Sequence, residues 1–303
     1  MKNYLGKILK CILNKDYRFV VLSNFGFYNS MNDEEYLKRK YKAIMHKELD
    51  LDDPKAFNEK IQWLKINDHN PGYTMMVDKY RVRDYIKKEL GEEYLIPLLG
   101  VWDDPDDIDF DSLPDQFVLK CNHNSGLGMC ICKDKSKLDI SKVRRELKKG
   151  LKQDYYLTGR EWPYKNVSRK IIAEKYMKNE YETELKDYKF FCFNGNPEYC
   201  QVICDRSTNE TIDFFDMNWV HQEFIGLNSK CSNSKHPIAK PVTFEKMKEF
   251  ACILAKNTKF VRIDFYEIER KLYFGEITFY PASGFGNFKP SEWNEKLGEM
   301  INL

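Results

Sequence analysis

The chain has 303 residues, 42% hydrophobic, 32% charged and 15% aromatic, enough to bury a substantial core and too aromatic for a disordered chain. Its 49 basic and 47 acidic residues leave a formal charge of only +2, so no global field is directed at nucleic acid and no nucleic-acid partner is expected. No apolar run approaches the roughly 18 residues needed to cross a bilayer, and lysines interrupt the opening MKNYLGKILKCILNK; the cytosol is the expected compartment, without a signal peptide.

In that opening segment Leu5, Ile8, Leu9, Ile12 and Leu13 fall at helical spacing among Lys2, Lys7, Lys10 and Lys15. Such a helix either packs on the core or lies on the inner face of an acidic membrane. Helical spacing recurs over 33–49, 57–66 and 76–90, the last closed by Gly91. Residues 1–115 are therefore expected to form a mainly helical N-terminal lobe.

After the Pro/Asp-rich DDPDDIDFDSLPD the apolar period changes from helix to strand. FVLKC at 117–121 and MCIC at 129–132 read as short strands joined by NHNSGLG, 139–152 as a basic helix, and KIIAEKY at 170–176 as a strand. Between the last two, DYYLTGREWPYKN is either a packed connector or a contact for an acidic or sugar-containing substrate. KDYKFFCFN and EYCQVIC form a hairpin about Gly195, Asn196 and Pro197. A helix over 244–257 precedes a second hairpin, FVRIDFY and KLYFGEITF, followed by PASGFGNF. The class is α+β with at least two sheets. The nine cysteines are an odd number in a chain that needs no disulfide staples, which predicts reduced thiols and no structural zinc at Cys130 and Cys132.

Two places carry chemistry. Lys120 stands in an otherwise apolar strand and so needs an anionic partner. Gly126 and Gly128 behind it allow NHNSGLG to aim backbone amides at a phosphate, the alternative being an ordinary hairpin turn. In FVRIDFY, strand alternation sends Arg262 and Asp264 to one face, and a short IERK loop puts Asp264 roughly opposite Glu276, which shares a face with Thr278. Facing carboxylates are tolerated around Mg²⁺, which takes one or two of them plus waters and phosphates. The alternative is a structural Arg262–Asp264 ion pair with Glu276 facing solvent.

Seven segments in order, VDKYRVRDYI, FVLKCNHNSGLG, IIAEKYM, LKDYKFFCFNGNP, VRIDFY, FGEITFYPASGFG and EWNEKLG, resemble the TupA-like branch of the ATP-grasp superfamily from about residue 55 onward. The resemblance implies ATP held between two α+β subdomains, a small one over 116–185 and a large one over 186–303. By that resemblance Lys79 and Lys120 contact the nucleotide phosphates. Asn124, Ser125, Gly126 and Gly128 form a glycine-rich flap. Glu174, Lys175, Tyr176 and Met177 form the adenine hinge, and Asp187 takes the ribose. Arg262 is placed near the transferring phosphoryl group, Lys120 and Arg262 acting as the catalytic cations. Asp264 and Glu276 are placed on Mg²⁺, and Ser283 and Gly284 in the acceptor site. The usual Asn ligand is replaced by Thr278.

The chemistry implied is a carboxylate–amine ligation through an acyl phosphate, with small-molecule, glycan or peptide acids and amines as substrates and ATP and Mg²⁺ as cofactors. The family name implies a setting in cell-envelope polysaccharide or peptide-polymer synthesis. A kinase on the same fold, a glycosyltransferase and a non-catalytic binding module are the alternatives. Of the five histidines only His123, beside the flap, is a candidate to touch phosphate or substrate.

Overall fold

The computed structural model describes residues 2–179, 184–206, 208–228 and 230–303. The side chains of Lys2, Leu5, Lys7 and Ile8, and part of the charged loop MKNEYETEL after the hinge, lie outside the described residues. Six helices open the chain: α1 (Lys2–Leu13), α2 (Lys15–Asn24), α3 (Asp33–Met45), α4 (Phe57–Asn67), α5 (Gly72–Val77) and α6 (Val82–Glu89). Phe19 of α2 packs with Tyr36, Leu37 and Tyr41 of α3 in a small core of their own. Asn32 caps α3, its Oδ1 accepting from the amides of Glu34 and Glu35.

Helical spacing over 76–90 predicts one helix, but the chain breaks at 78–81. Asp78 Oδ1 accepts from the Tyr80 and Arg81 amides and from Asn122 Nδ2, and the Lys79 amide donates to Asn122 O at 3.1 Å. These bonds replace helical ones and hold the Lys79 backbone against the loop that follows Cys121.

A four-stranded antiparallel sheet comes next: β1 (Leu98–Trp102), β2 (Phe117–Cys121) and β3 (Met129–Cys132), with β4 (Ile171–Lys175) lying between β1 and β2. Because β1 pairs with β4, this small sheet starts before residue 116 and takes one strand from the segment read as helical lobe. Alternation divides its faces. Phe117, Leu119, Ile171 and Ala173 pack under Val143 and Leu147 of α7 (Ile140–Lys152), which Asp139 caps, whereas Lys120 and Glu174 face the other way. The short helix α8 (Tyr155–Gly159) belongs to the connector back to β4.

The large sheet runs β11-β10-β5-β6-β7-β8. Its strands are β5 (Asp187–Phe193), β6 (Asn196–Cys204), β7 (Thr211–Asp216), β8 (His221–Gln222), β10 (Phe260–Ile268) and β11 (Lys271–Thr278). The first hairpin turns at Asn194 and Gly195, both at positive φ, one residue earlier than the spacing indicates. Helix α9 (Phe244–Ala255) covers one face, Phe244 packing on Phe190. A two-stranded pair, β9 (Ile225–Gly226) and β12 (Phe288–Lys289), and α10 (Trp293–Glu299) close the end beside α4.

The β10–β11 hairpin decides the site. Glu269 and Arg270, at φ 50° and 64°, make a two-residue turn with no glycine. Simple counting from the Ile268–Lys271 pair would set Asp264 against Gly275. A one-residue bulge at Gly275 instead sets it against Glu276 and Arg262 against Thr278. Gly275 suits the bulge because a Cβ there would stand 3.0 Å from Asp264 O and 3.1 Å from the Tyr266 ring.

Candidate active site: a cationic cleft between two sheets

Lys120 projects from the small sheet, and Arg262, Asp264, Glu276 and Lys189 from the face of the large one opposite α9. Between the sheets lies an open cleft lined by Lys120, Arg262, Glu276 and Lys189 together with Lys79, Asp187, Arg206 and the flap residues Asn124, Ser125 and Gly126, with Asp264 buried beside Arg262 and Lys189. Arg262 grips Asp264 with two bonds, Nε to Oδ1 and Nη2 to Oδ2, each 2.7 Å, and Nη2 reaches Glu276 Oε1 and Thr278 Oγ1 at 3.1 Å. Lys189, opposite Asp264 on β5, also donates to Asp264 Oδ2, the oxygen it shares with Arg262 Nη2, and stands 3.4 Å from Asp187, which Arg206 holds at 3.1 Å. Lys79 Nζ donates to Asn124 O at 2.8 Å and lies 4.0 Å from Glu276 Oε2.

The two facing carboxylates are thus neutralised by cations, and they differ. Asp264 is 1% exposed and fully engaged, whereas the Glu276 side chain is 39% exposed. Burial alone would raise the Glu276 carboxyl, but Lys79, Lys189, Arg262 and Lys120 outweigh it and hold the group at about 2. Burial lowers the Lys79 ammonium against the pull of Glu276, while Asp264 and Glu276 overcome burial to raise Arg262. Asp264 therefore both pairs with Arg262 and faces Glu276 across the hairpin, and Glu276 is bonded to Arg262 rather than left to solvent.

Among the described residues no three His, Cys, Asp or Glu side chains cluster as a metal cage. The donors that do meet are one open carboxylate, one hydroxyl and one buried carboxylate, which fits Mg²⁺ arriving with phosphate and water as its other ligands. Asp264, Glu276 and Thr278 are the side chains that would hold it.

At the flap, Gly126 and Gly128 have φ 82° and 70°. The amides of Ser125, Gly126 and Leu127 donate to no acceptor among the described residues, leaving them available to an anion. The flap's base is fixed: a Cβ on Gly128 would meet Cys121 Sγ and Gly150 Cα, each at 2.9 Å. His123 lies under the flap, its Nε2 within 3.1 Å of Gln153 O, and burial lowers its pKa; it does not line the cleft.

Glu174 lines a recess with Lys79 and Lys120, whereas Ser283 and Gly284 do not line the cleft. Glu174 is bonded to Lys120 at 2.6 Å and to Arg83 at 3.5 Å, beside a recess that continues the cleft behind Lys79. Lys175 is exposed, and Tyr176 and Met177 are half-buried where β4 ends. Ser283 and Gly284 turn away from the cleft, which Ala282 lines instead. The cause is Lys65 of α4, 2% exposed, whose Nζ reaches Ser283 O at 2.8 Å, Ser283 Oγ at 3.0 Å, Gly159 O at 2.8 Å and Gln62 Oε1 at 3.0 Å. Gln62 Nε2 adds bonds to Ser283 O and Gly284 O. This clamp holds Ala282 and Ser283 at φ 48° and 52°, a conformation unfavourable for residues with a Cβ. Burial depresses Lys65 to about 7 against the pull of Glu161, whose own carboxyl is raised by burial while it bonds Ser283.

The connector DYYLTGREWPYKN is packed. Arg160 is 2% exposed and bonded to Tyr28 O, and Trp162 stacks on His69. Tyr155 and Tyr164 meet edge to face, and burial raises both hydroxyls, with Glu276 and Arg262 close enough to act on them.

Lys189 and Arg206 are absent from the sequence reading. The signal for Lys189 is the one used for Lys120, a lysine between Tyr188 and Phe190 in an apolar strand. Arg206 carries no comparable signal in its loop.

A flap, lysines from two sheets and a carboxylate pair around one cleft define an ATP-grasp architecture. A family model described as TupA-like ATP-grasp matches residues 59–302, and the chain belongs to that family. Among solved structures, D-alanine–D-alanine ligase from Bacillus anthracis, complexed with ATP, is 20% identical over 75% of this chain and 63% of its own, with a TM-score of 0.43. The Helicobacter pylori ligase is 16% identical over 81% and 69%, at 0.40. D-alanyl-alanine synthetase A from Vibrio cholerae O1 biovar eltor is 9% identical over 80% and 62%, at 0.42. The chain therefore spans 63% of the length of the Bacillus anthracis enzyme. No curated protein matches it.

Proposed function

We propose that this protein is an ATP-dependent carboxylate–amine ligase. The observation that carries the reading is the convergence of Lys79, Lys120, Lys189, Arg262 and Glu276 on one cleft beneath a flap with free amides, with Asp264 paired to Lys189 and Arg262 just beneath them. Lysines and flap amides bind and orient the triphosphate of ATP, and Arg262 faces the charge that moves with the γ-phosphoryl group. Asp187 is the acid proposed for the ribose, and Glu174 to Met177 for the adenine side. Mg²⁺ held by Asp264, Glu276 and Thr278 would neutralise phosphate charge.

A substrate carboxylate attacks the γ-phosphorus, and the bond to ADP breaks to give an acyl phosphate. An amine then attacks the acyl carbon and expels phosphate, which with solvent takes up the amine proton. No protein nucleophile is needed, in keeping with a cleft whose lining offers no serine–histidine or cysteine–histidine pair among the described residues. The family name supports a setting in cell-envelope polysaccharide or peptide-polymer synthesis.

The test is product analysis with ATP, Mg²⁺ and paired panels of acids and amines. A ligase forms ADP, phosphate and amide only when both an acid and an amine are present. A phosphorylated acceptor formed without an amine and without free phosphate would show a kinase instead.

A further inference from the structure

The four most exposed large apolar side chains among those described are Leu13 at 75%, Phe25 at 74%, Phe27 at 70% and Ile12 at 62%, with Leu9 at 57%. All five lie in the first 27 residues, far from the cleft lining in sequence. Leu9, Ile12 and Leu13 are spaced to share one stripe of α1. The helix runs on into α2 almost without interruption, Asn14 capping the second helix and Arg18 Nη1 donating to Ile12 O at 2.9 Å. Phe19 fixes α2 to the core, while these α1 side chains remain outside it.

Charge accompanies the stripe. Residues 1–18 contain five basic side chains, Lys2, Lys7, Lys10, Lys15 and Arg18, against the single acid Asp16. Among the described residues none of Lys10, Lys15 and Arg18 has a carboxylate in ion-pair range; Lys10 instead lies 4.7 Å from the Tyr17 ring centroid.

We propose that α1 and the turn carrying Phe25 and Phe27 form a docking surface for an anionic lipid bilayer. A short lysine-bearing helix with an exposed aliphatic stripe has the chemistry of an interfacial segment, whose apolar side enters the acyl boundary while its cations meet lipid phosphates. No helix of the described residues is long and apolar enough to cross a membrane, so the contact is peripheral. An acidic protein groove would match the charge, but an exposed aliphatic stripe together with two exposed phenylalanines at the far end of α2 favours a deformable apolar phase. The inference is independent of the ligase reading.

The test is sedimentation of the full chain with vesicles of phosphatidylcholine alone or mixed with phosphatidylglycerol. Binding is expected to the anionic vesicles only and to weaken with salt. Leu9→Ser/Ile12→Ser/Leu13→Ser should lower partitioning by about tenfold or more, as should Lys10→Glu/Lys15→Glu. As a second measurement, Leu9→Trp should blue-shift and be quenched by brominated lipid. The proposal is overturned if anionic vesicles do not bind, if the triple variant binds equally well, or if Leu9→Trp is not quenched. A self-associated wild type that the triple variant turns into a monomer, with no vesicle binding, would make a second copy the occupant and equally overturn it.

Discussion

Lys65→Met tests whether the buried ammonium holds the loop after β11 in place. Methionine fills most of the lysine's volume but leaves Gly159 O and Gln62 Oε1 without their donor, while Ser283 O keeps Gln62 Nε2 at 3.1 Å. Each orphaned buried acceptor costs about 1–3 kcal/mol, and the Glu161 carboxyl loses the attraction of the Lys65 ammonium. Release of a desolvated ammonium offsets part of this, so the expected net loss is about 3 kcal/mol. For a chain of 303 residues that lowers the melting temperature by roughly 5 °C. Urea unfolding followed by tryptophan fluorescence reads it, with Trp162, stacked on His69 at 4.9 Å, as a local reporter. Adding Glu161→Gln should cost less than the two single changes summed, because the carboxyl no longer needs a partner. A loss below about 0.5 kcal/mol for Lys65→Met would refute the clamp.

The carboxylate pair should respond unequally. Glu276→Gln, at a side chain 39% exposed, should abolish the Mg²⁺ dependence of ATP binding with little change in the unfolding midpoint, whereas Asp264→Asn strands Arg262 and Lys189 and should cost about 3–5 kcal/mol. Equal unfolding midpoints for the two would contradict this placement. Burial depresses Lys40 to about 8 and Lys65 to about 7 from 10.5, so between those values and 10.5 the unfolded chain binds more protons than the folded one. Their contribution is full above about 10.5 and lost as pH falls through 8 and 7; the urea midpoint should rise from pH 7.5 to 9.5, less steeply in Lys65→Met. A flat profile in that window would count against the burial of both groups. At the flap, Gly126→Ala meets open space and should cost only the roughly 1 kcal/mol of its positive φ, while Gly128→Ala also collides with Cys121 and Gly150 and should destabilise distinctly more by thermal melting.

Much of the large-sheet wall was legible because alternation is a local property. Arg262, Asp264, Glu276 and Thr278 could be set on one face from residue spacing alone, and Lys120 stood out as a charge in an apolar strand. The register was legible only to within one residue, since the bulge at Gly275 depends on how its backbone meets Asp264 and Tyr266. The break at 78–81 was hidden for a similar reason: its bonds go to Asn122, distant in sequence, and override helical spacing. Ser283 was expected at the acceptor side, but a lysine 218 residues earlier turns it inward. Strand β1 was hidden by its position in a helical stretch, because its partner β4 lies far along the chain.

The most direct test of the account is calorimetric titration of the protein with ATP, with and without Mg²⁺, comparing wild type with Lys120→Ala. The account predicts binding that depends on Mg²⁺ and weakens about 10- to 100-fold when the Lys120 ammonium is removed, the range expected for charge-assisted bonds to phosphate. Absence of ATP binding by the wild type, or binding indifferent to both the metal and Lys120, would contradict it.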